Sequence, residues 1–168
     1  KAIGGTLGQP YEGHPGPLTL DFYDPVPGDM IPNDDLDLQV VWACVLANMQ
    51  EALVSRDVLA DAWLNHVAFP WDEYGVANRN LRLGIRPPRS GAYDNWFVDG
   101  MGAAIRSEIW ACLAPGDPHR AAEYAYEDAC VDHAGDGIFA EQFLAAVESA
   151  AFTESDMERL LDIGLSVI

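Results

Sequence analysis

Apolar residues recur along most of this chain at intervals of three and four, the spacing that lays one face of an α-helix against a core. Between residues 36 and 55, Leu36, Leu38, Val40, Val41, Trp42, Val45, Leu46, Met49 and Leu53 go almost all the way round, so this helix is expected to be central and buried. Shorter helices are expected over 58–67, where Trp63 and Val67 stand four apart, and over 72–83. A further helix over 100–113 is unusually poor in charge. Asp117 followed by Pro118 sets an N-cap before a proline at the first helical position and opens a helix to about His133. The next, over 137–152, carries Phe139, Phe143, Ala146 and Ala150 on one face. Thr153 is expected to cap the last helix, with Glu154 and Asp156 complementing the dipole of its first turn. Only residues 18–23 alternate like a strand, and prolines hem them in. The pattern predicts an all-α fold. Two long segments rich in Gly and Pro, 8–32 and 84–99, interrupt it. They hold Tyr11, Phe22, Tyr23, Tyr93, Trp96 and Phe97, which disordered linkers seldom carry, so both are expected to be functional loops.

Length and composition narrow the picture. The 168 residues suit a single domain over 1–168, and 49% hydrophobic against 21% charged residues is enough to bury a core. Lys1 stands at the head of an apolar helical stretch and Ile168 closes another without a cap, so both ends read as incomplete. The balance of 9 basic to 27 acidic side chains, a net charge of −18, speaks against nucleic acid or anionic lipid as a partner. No apolar run approaches the roughly 20 residues of a membrane-spanning helix. Cys44, Cys112 and Cys130 are odd in number, far apart and set in apolar helical patterns. They are expected to be reduced core residues of a cytoplasmic protein.

Four segments could carry chemistry. Asn33-Asp34-Asp35 stands at the mouth of the helix expected over 36–55. A helix cap needs one oxygen, whereas this run offers several hard oxygen donors of the kind Mg²⁺ or Ca²⁺ requires; a capping cluster and a cation site both remain open. Gly100-Met101-Gly102-Ala103-Ala104-Ile105-Arg106 could expose backbone N–H groups to an anion, or could serve close packing between helices. Arg106, isolated in an apolar stretch, would touch a ligand or pair with a buried carboxylate. Glu12 ends the Gly-rich run Gly4-Gly5-Thr6-Leu7-Gly8-Gln9-Pro10-Tyr11 on a loop that could move, or is an idle exposed side chain. His133, after Asp132 at the expected end of a helix, is most simply explained by the helix dipole. No nucleophile-elbow serine, P-loop or zinc pattern is present.

In this order, the segments resemble the ADP-ribosylglycohydrolase family. Its members carry a Gly-rich segment ending in Pro-x-Glu, a Thr-Asp-Asp metal motif opening a buried helix, a Gly segment running into Ala-Ala-Met-Arg, and a Gly-Asp-Pro helix ending near a histidine. The counterparts here are Gly8 to Glu12, Asn33-Asp34-Asp35, Gly100 to Arg106, and Gly116-Asp117-Pro118 through His133. The resemblance implies a compact orthogonal multi-helix bundle, all-α, and a hydrolase that cleaves a glycosidic bond at the anomeric carbon of an ADP-ribosyl or related ribosyl group. By that resemblance, Asn33, Asp34 and Asp35 would hold one or two Mg²⁺ ions. Asp34 or Asp35 would take the proton of the attacking water, and Glu12 would close over the site. Gly100, Met101 and Gly102 would hold the diphosphate, Trp96 or Phe97 would stack on the base, and His133 would join the substrate-binding set. Asn33 departs from the family's Thr and Ile105 from its Met. The family's second metal motif, Asp-x-Asp-Thr, does not occur in the chain, so a further polypeptide segment would complete the site. A same-fold binding or structural protein without activity, and a same-fold enzyme for another ribosyl or nucleoside-like substrate, remain alternatives.

Overall fold

The computed structural model describes residues 1–22, 28–49, 54–68 and 71–168. All of its regular elements are helical, as the periodicity predicts, and the described residues contain no strand. Residues 18–22 are irregular, and Tyr23 lies outside the described residues. In chain order the α-helices are α1 (Ala2–Gly8), α2 (Asp34–Asn48), α3 (Arg56–His66), α4 (Asp72–Arg82), α5 (Arg89–Ala92), α6 (Glu108–Leu113), α7 (Pro118–Ala129), α8 (Asp136–Ala150) and α9 (Met157–Leu165). Short 3₁₀ turns occupy Gln9–Tyr11 and Ala104–Arg106.

Three fully buried tryptophans, Trp42, Trp63 and Trp110, form the centre of the core. Trp63 lies between Trp42, 6.1 Å away by ring centroid, and the ring of Tyr74, stacked at 5.8 Å. From the second half of the chain, Ala114, Ala121, Ala125, Val131 and Ala145 join this cluster. Helix α8 packs along α7 and crosses α9 where Gly164 leaves room; a Cβ there would come within 2.6 Å of Phe143 and Val147.

Several local expectations give way to tertiary contacts. The helix expected over 36–55 ends at Asn48, where Met49 turns extended. Residues 50–53 lie outside the described residues, and Ser55 instead caps α3 by accepting from the Val58 N–H. It is also not buried all round. Leu38 and Trp42 are enclosed, but Val40 is 52% exposed, because the core meets only one stripe of this helix. The expected helix over 100–113 is broken into turns, a 3₁₀ turn and α6. The Gly102 N–H donates to Glu73 on α4, and regular α-helix begins only at Glu108. Asp117 does cap α7, accepting from the Arg120 N–H at 3.1 Å, although the helix ends at Ala129 rather than His133. Thr153 does not cap the last helix: Glu154 accepts from the N–H groups of Ser155 and Asp156, which carries the turn on, and Asp156 caps α9 through Glu158 and Arg159. All three cysteines are free; only Cys130 is a core residue, while Cys44 and Cys112 are exposed on helix faces that the core does not reach.

Candidate functional site

Asn33 stands at the mouth of α2 in extended backbone, with its own carbonyl accepting from the N–H groups of Leu36 and Asp37. Its side chain does no capping; Asn33 Oδ1 is buried and has no hydrogen-bond partner. Asp34 and Asp37, one turn apart, face the same way, as an i, i+3 pair must. Both line a cleft of about 490 Å³ that Glu12, Trp71, Asp72, Glu73 and Tyr74 complete. Five carboxylates therefore share one cleft, and no basic side chain among the described residues lines it. Asp72 is one of only two described non-glycine residues with positive φ, +47°, a strained conformation at the cleft wall.

The donor chemistry fits a hard cation. Carboxylate and amide oxygens are what Mg²⁺ takes, and the orphaned Asn33 Oδ1 is an acceptor in need of a positive partner. No three His, Cys, Asp or Glu side chains among the described residues converge to hold a metal by themselves. Mg²⁺ commonly keeps several waters and binds through one or two carboxylates, so a small protein share of the ligands suits it.

One wall of the cleft is a carboxylate fixed from behind. Glu73 is nearly buried and accepts from the Gly102 N–H at 3.0 Å. The glycine is required here, since a Cβ would meet Glu73 Oε1 at 2.2 Å and the Tyr74 hydroxyl at 2.8 Å. The Tyr74 hydroxyl donates to Asp34 Oδ2 at 3.2 Å; burial raises its ionisation far above the ordinary range and keeps it a donor. Behind Glu73 lies His133, fully buried, with Nε2 at 3.8 Å from Glu73 Oε1 and Nδ1 at 2.9 Å from Asp132 Oδ1, the latter too poorly aligned for a hydrogen bond.

Deeper still is a buried ionic network. Arg106 donates to Asp128 Oδ2 at 2.9 Å, to both oxygens of Asp132 at 2.7 and 3.0 Å, and to the Gly102 carbonyl at 2.8 Å. Of the two expectations for Arg106, pairing with buried carboxylates is the one realised. The indoles of Trp42 and Trp110 donate to the same Asp128 oxygen, and Trp110 also to Glu141 Oε1. Burial would push Asp132 up, but Arg106 and His133 hold it at about 2. Glu141 goes the other way: burial first, then the negative charge of Asp128, raises it well above the carboxylate range. A neutral Glu141 can donate to Asp128, and that proton satisfies the otherwise orphaned Asp128 Oδ1 and Glu141 Oε2 together.

The structure thus brings Glu12, Asn33 and Asp34 together and adds Asp37, Asp72, Glu73, Trp71 and Tyr74, which sequence reasoning missed. Asp35 does not line the cleft. Gly100, Met101 and Gly102 lie one layer behind it, across Glu73. The Gly100 N–H donates to the Phe97 carbonyl and the Gly102 N–H to Glu73, so two of the three amides expected to hold an anion are committed within the protein. Trp96, 89% exposed, and Phe97 stand outside the lining, and His133 has no access to it. Asp37 carried a legible signal, its spacing of three from Asp34. Asp72 and Glu73 looked like any acidic first turn. A larger cavity of about 590 Å³ lies at the far end of α2, but Val40, Val41, Val45 and Met49 dominate it, and its polar groups, Asn48 and His66, do not converge with any carboxylate. The chemistry favours the smaller cleft.

Against known proteins, the model of a family described as ADP-ribosylglycohydrolase matches residues 1–168. Searches of the curated proteins and of the solved structures gave no match.

Proposed function

The chain belongs to the ADP-ribosylglycohydrolase family, and from that premise we propose that it is a Mg²⁺-dependent hydrolase cleaving the bond at the anomeric carbon of an ADP-ribosyl or related ribosyl group. The observation that carries this reading is the meeting of Glu12, Asn33 and Asp34 in one carboxylate-rich cleft beside an unsatisfied Asn33 oxygen. Asn33 and Asp34 would hold the metal, which when bound supplies Lewis acidity toward the ribose hydroxyls and a water. A further polypeptide segment would add the rest of its ligands. Asp34 accepts the proton of the attacking water as that water's oxygen bonds to the anomeric carbon; the glycosidic bond breaks, and the departing group leaves with its electron pair and takes up a proton from solvent. Bond cleavage leaves positive charge on the sugar, and the carboxylates of Asp37, Asp72 and Glu73 stabilise it across a short distance. Glu12, exposed on its loop, covers the bound ribose. The diphosphate meets the glycine turn through Met101, its neighbours' N–H groups being taken, and Trp96 or Phe97 stacks on the base.

Calorimetry with Mg²⁺ tests the metal assignment. The parent and Asp35→Ala bind with equal affinity, whereas Asp34→Ala loses binding; equal binding by all three removes the assignment. Release of free ADP-ribose from a modified substrate, absent in Asp34→Ala, tests the activity. A binding protein of the same fold without catalysis is the second reading, favoured by the lack of three converging metal-ligating side chains among the described residues. It requires that ligand bind and no product appear.

A further inference from the structure

Two successive side chains of α4 reach in different directions, to the mouth of α2 and to the glycine turn, segments far apart in sequence. Glu73 takes the Gly102 N–H, and Tyr74 gives its hydroxyl to Asp34 Oδ2. Both are buried, and Tyr74 is held further by its ring stacked on Trp63. Asp34 itself is only half-buried at a helix mouth, in a cleft whose other carboxylates repel it. A carboxylate so placed has rotamer freedom that a metal ligand must give up on binding.

We propose that Tyr74 is a positioning residue: its hydroxyl fixes the Asp34 carboxylate in the orientation in which it meets the divalent cation, and the Glu73–Gly102 bond anchors the turn of α4 from which Tyr74 acts. This rests on the functional reading above. It places the device on a rigid element, because Tyr74 belongs to the core on one side and to the cleft on the other. Asp34 is thereby held from outside its own helix, across a gap in sequence of 40 residues.

Tyr74→Phe keeps the ring on Trp63 and deletes only the donor. Two measurements on the intact chain test the proposal: Mg²⁺ affinity by calorimetry, and the Asp34 ¹³Cγ resonance in metal-free protein with labelled aspartate, assigned by its loss in Asp34→Ala. The expected result is a moved Asp34 resonance, Mg²⁺ binding weaker by about tenfold, and an unfolding temperature without metal close to the parent's. Tyr93→Phe, at an exposed tyrosine, changes none of these. An unmoved resonance overturns the contact. A moved resonance with parental Mg²⁺ affinity overturns the positioning role while leaving the metal assignment intact. A parent that binds no Mg²⁺ takes down the functional reading itself and the positioning claim with it, and the parent's own titration shows which has failed.

Discussion

Acidic side chains gather in two places in this molecule, the network around Arg106 and the cleft at the mouth of α2, and their charge is compensated in different ways. In the network, one guanidinium serves Asp128 and Asp132, two indoles and the Gly102 carbonyl complete the hydrogen bonding, and the third acid, Glu141, stays neutral. Nothing from outside is needed. In the cleft, Glu12, Asp34, Asp37, Asp72 and Glu73 line one space with no basic side chain among the described residues of its walls, and a neighbouring amide oxygen lacks a partner. The first arrangement is closed and structural. The second is open and is completed only by a positive species that binds. Charge imbalance, more than carboxylate count, separates a site from a scaffold.

Disrupting the closed network costs the most. Arg106→Met strips two fully buried carboxylates of their partner, and a loss of about 3–5 kcal/mol is expected. Urea unfolding checks it; a stability within about 1 kcal/mol of the parent would show that the network is not a closed unit. Glu141 sharpens the contrast. Since it is neutral in the fold, Glu141→Gln preserves both the acceptor for Trp110 and a donor for Asp128, and stability at neutral pH should hold within about 0.5 kcal/mol or improve. Glu141→Leu leaves Asp128 Oδ1 without its donor, while Trp110 keeps Asp128 Oδ2, and should cost about 1–3 kcal/mol. A half-buried carboxyl on α8, Glu148, lies outside both clusters. Glu148, pushed from an ordinary 4.5 to about 7 by burial and then by Glu108, against the pull of Ser107 and Lys1, keeps a proton that the unfolded chain has released. Stability therefore falls as pH rises from 4.5 to about 7 and is level above that. Glu148→Gln removes this part of the slope and should gain about 1 kcal/mol at pH 8, after allowance for solvent screening. An unchanged pH profile would dismiss it.

The helices were legible because their signals are local: period, caps and breakers act within a turn or two, as Asp117-Pro118 shows at the start of α7. What was not legible depends on contacts far along the chain. The segment 100–113 has helical composition, yet it is regular α-helix only over Glu108–Leu113, and its start is tied to Glu73, 29 residues earlier, through the Gly102 N–H. The apolar wrap of α2 predicts burial on every side, but only tertiary packing decides which stripe is covered. Within the site, Asn33 and Asp34 stood out as oxygen donors at a helix mouth. That Asp37, and not Asp35, shares the face of Asp34 follows from the helical repeat once the helix start is known. Glu73 and Tyr74 have no sequence signature at all, because their meaning lies in the partners that the fold brings to them.

Trp42 lies on the same helix that opens with Asn33 and Asp34, and its indole is tied to Asp128 in the heart of the molecule. Any displacement of α2 on occupation of the cleft is thus transmitted to a fluorophore whose N–H sits in a dry, charged surrounding. With Trp71, at the cleft itself, and the exposed Trp96 replaced by Phe, the remaining ultraviolet emission comes from the buried indoles, and its change during a cation titration gauges α2 from two turns inside it.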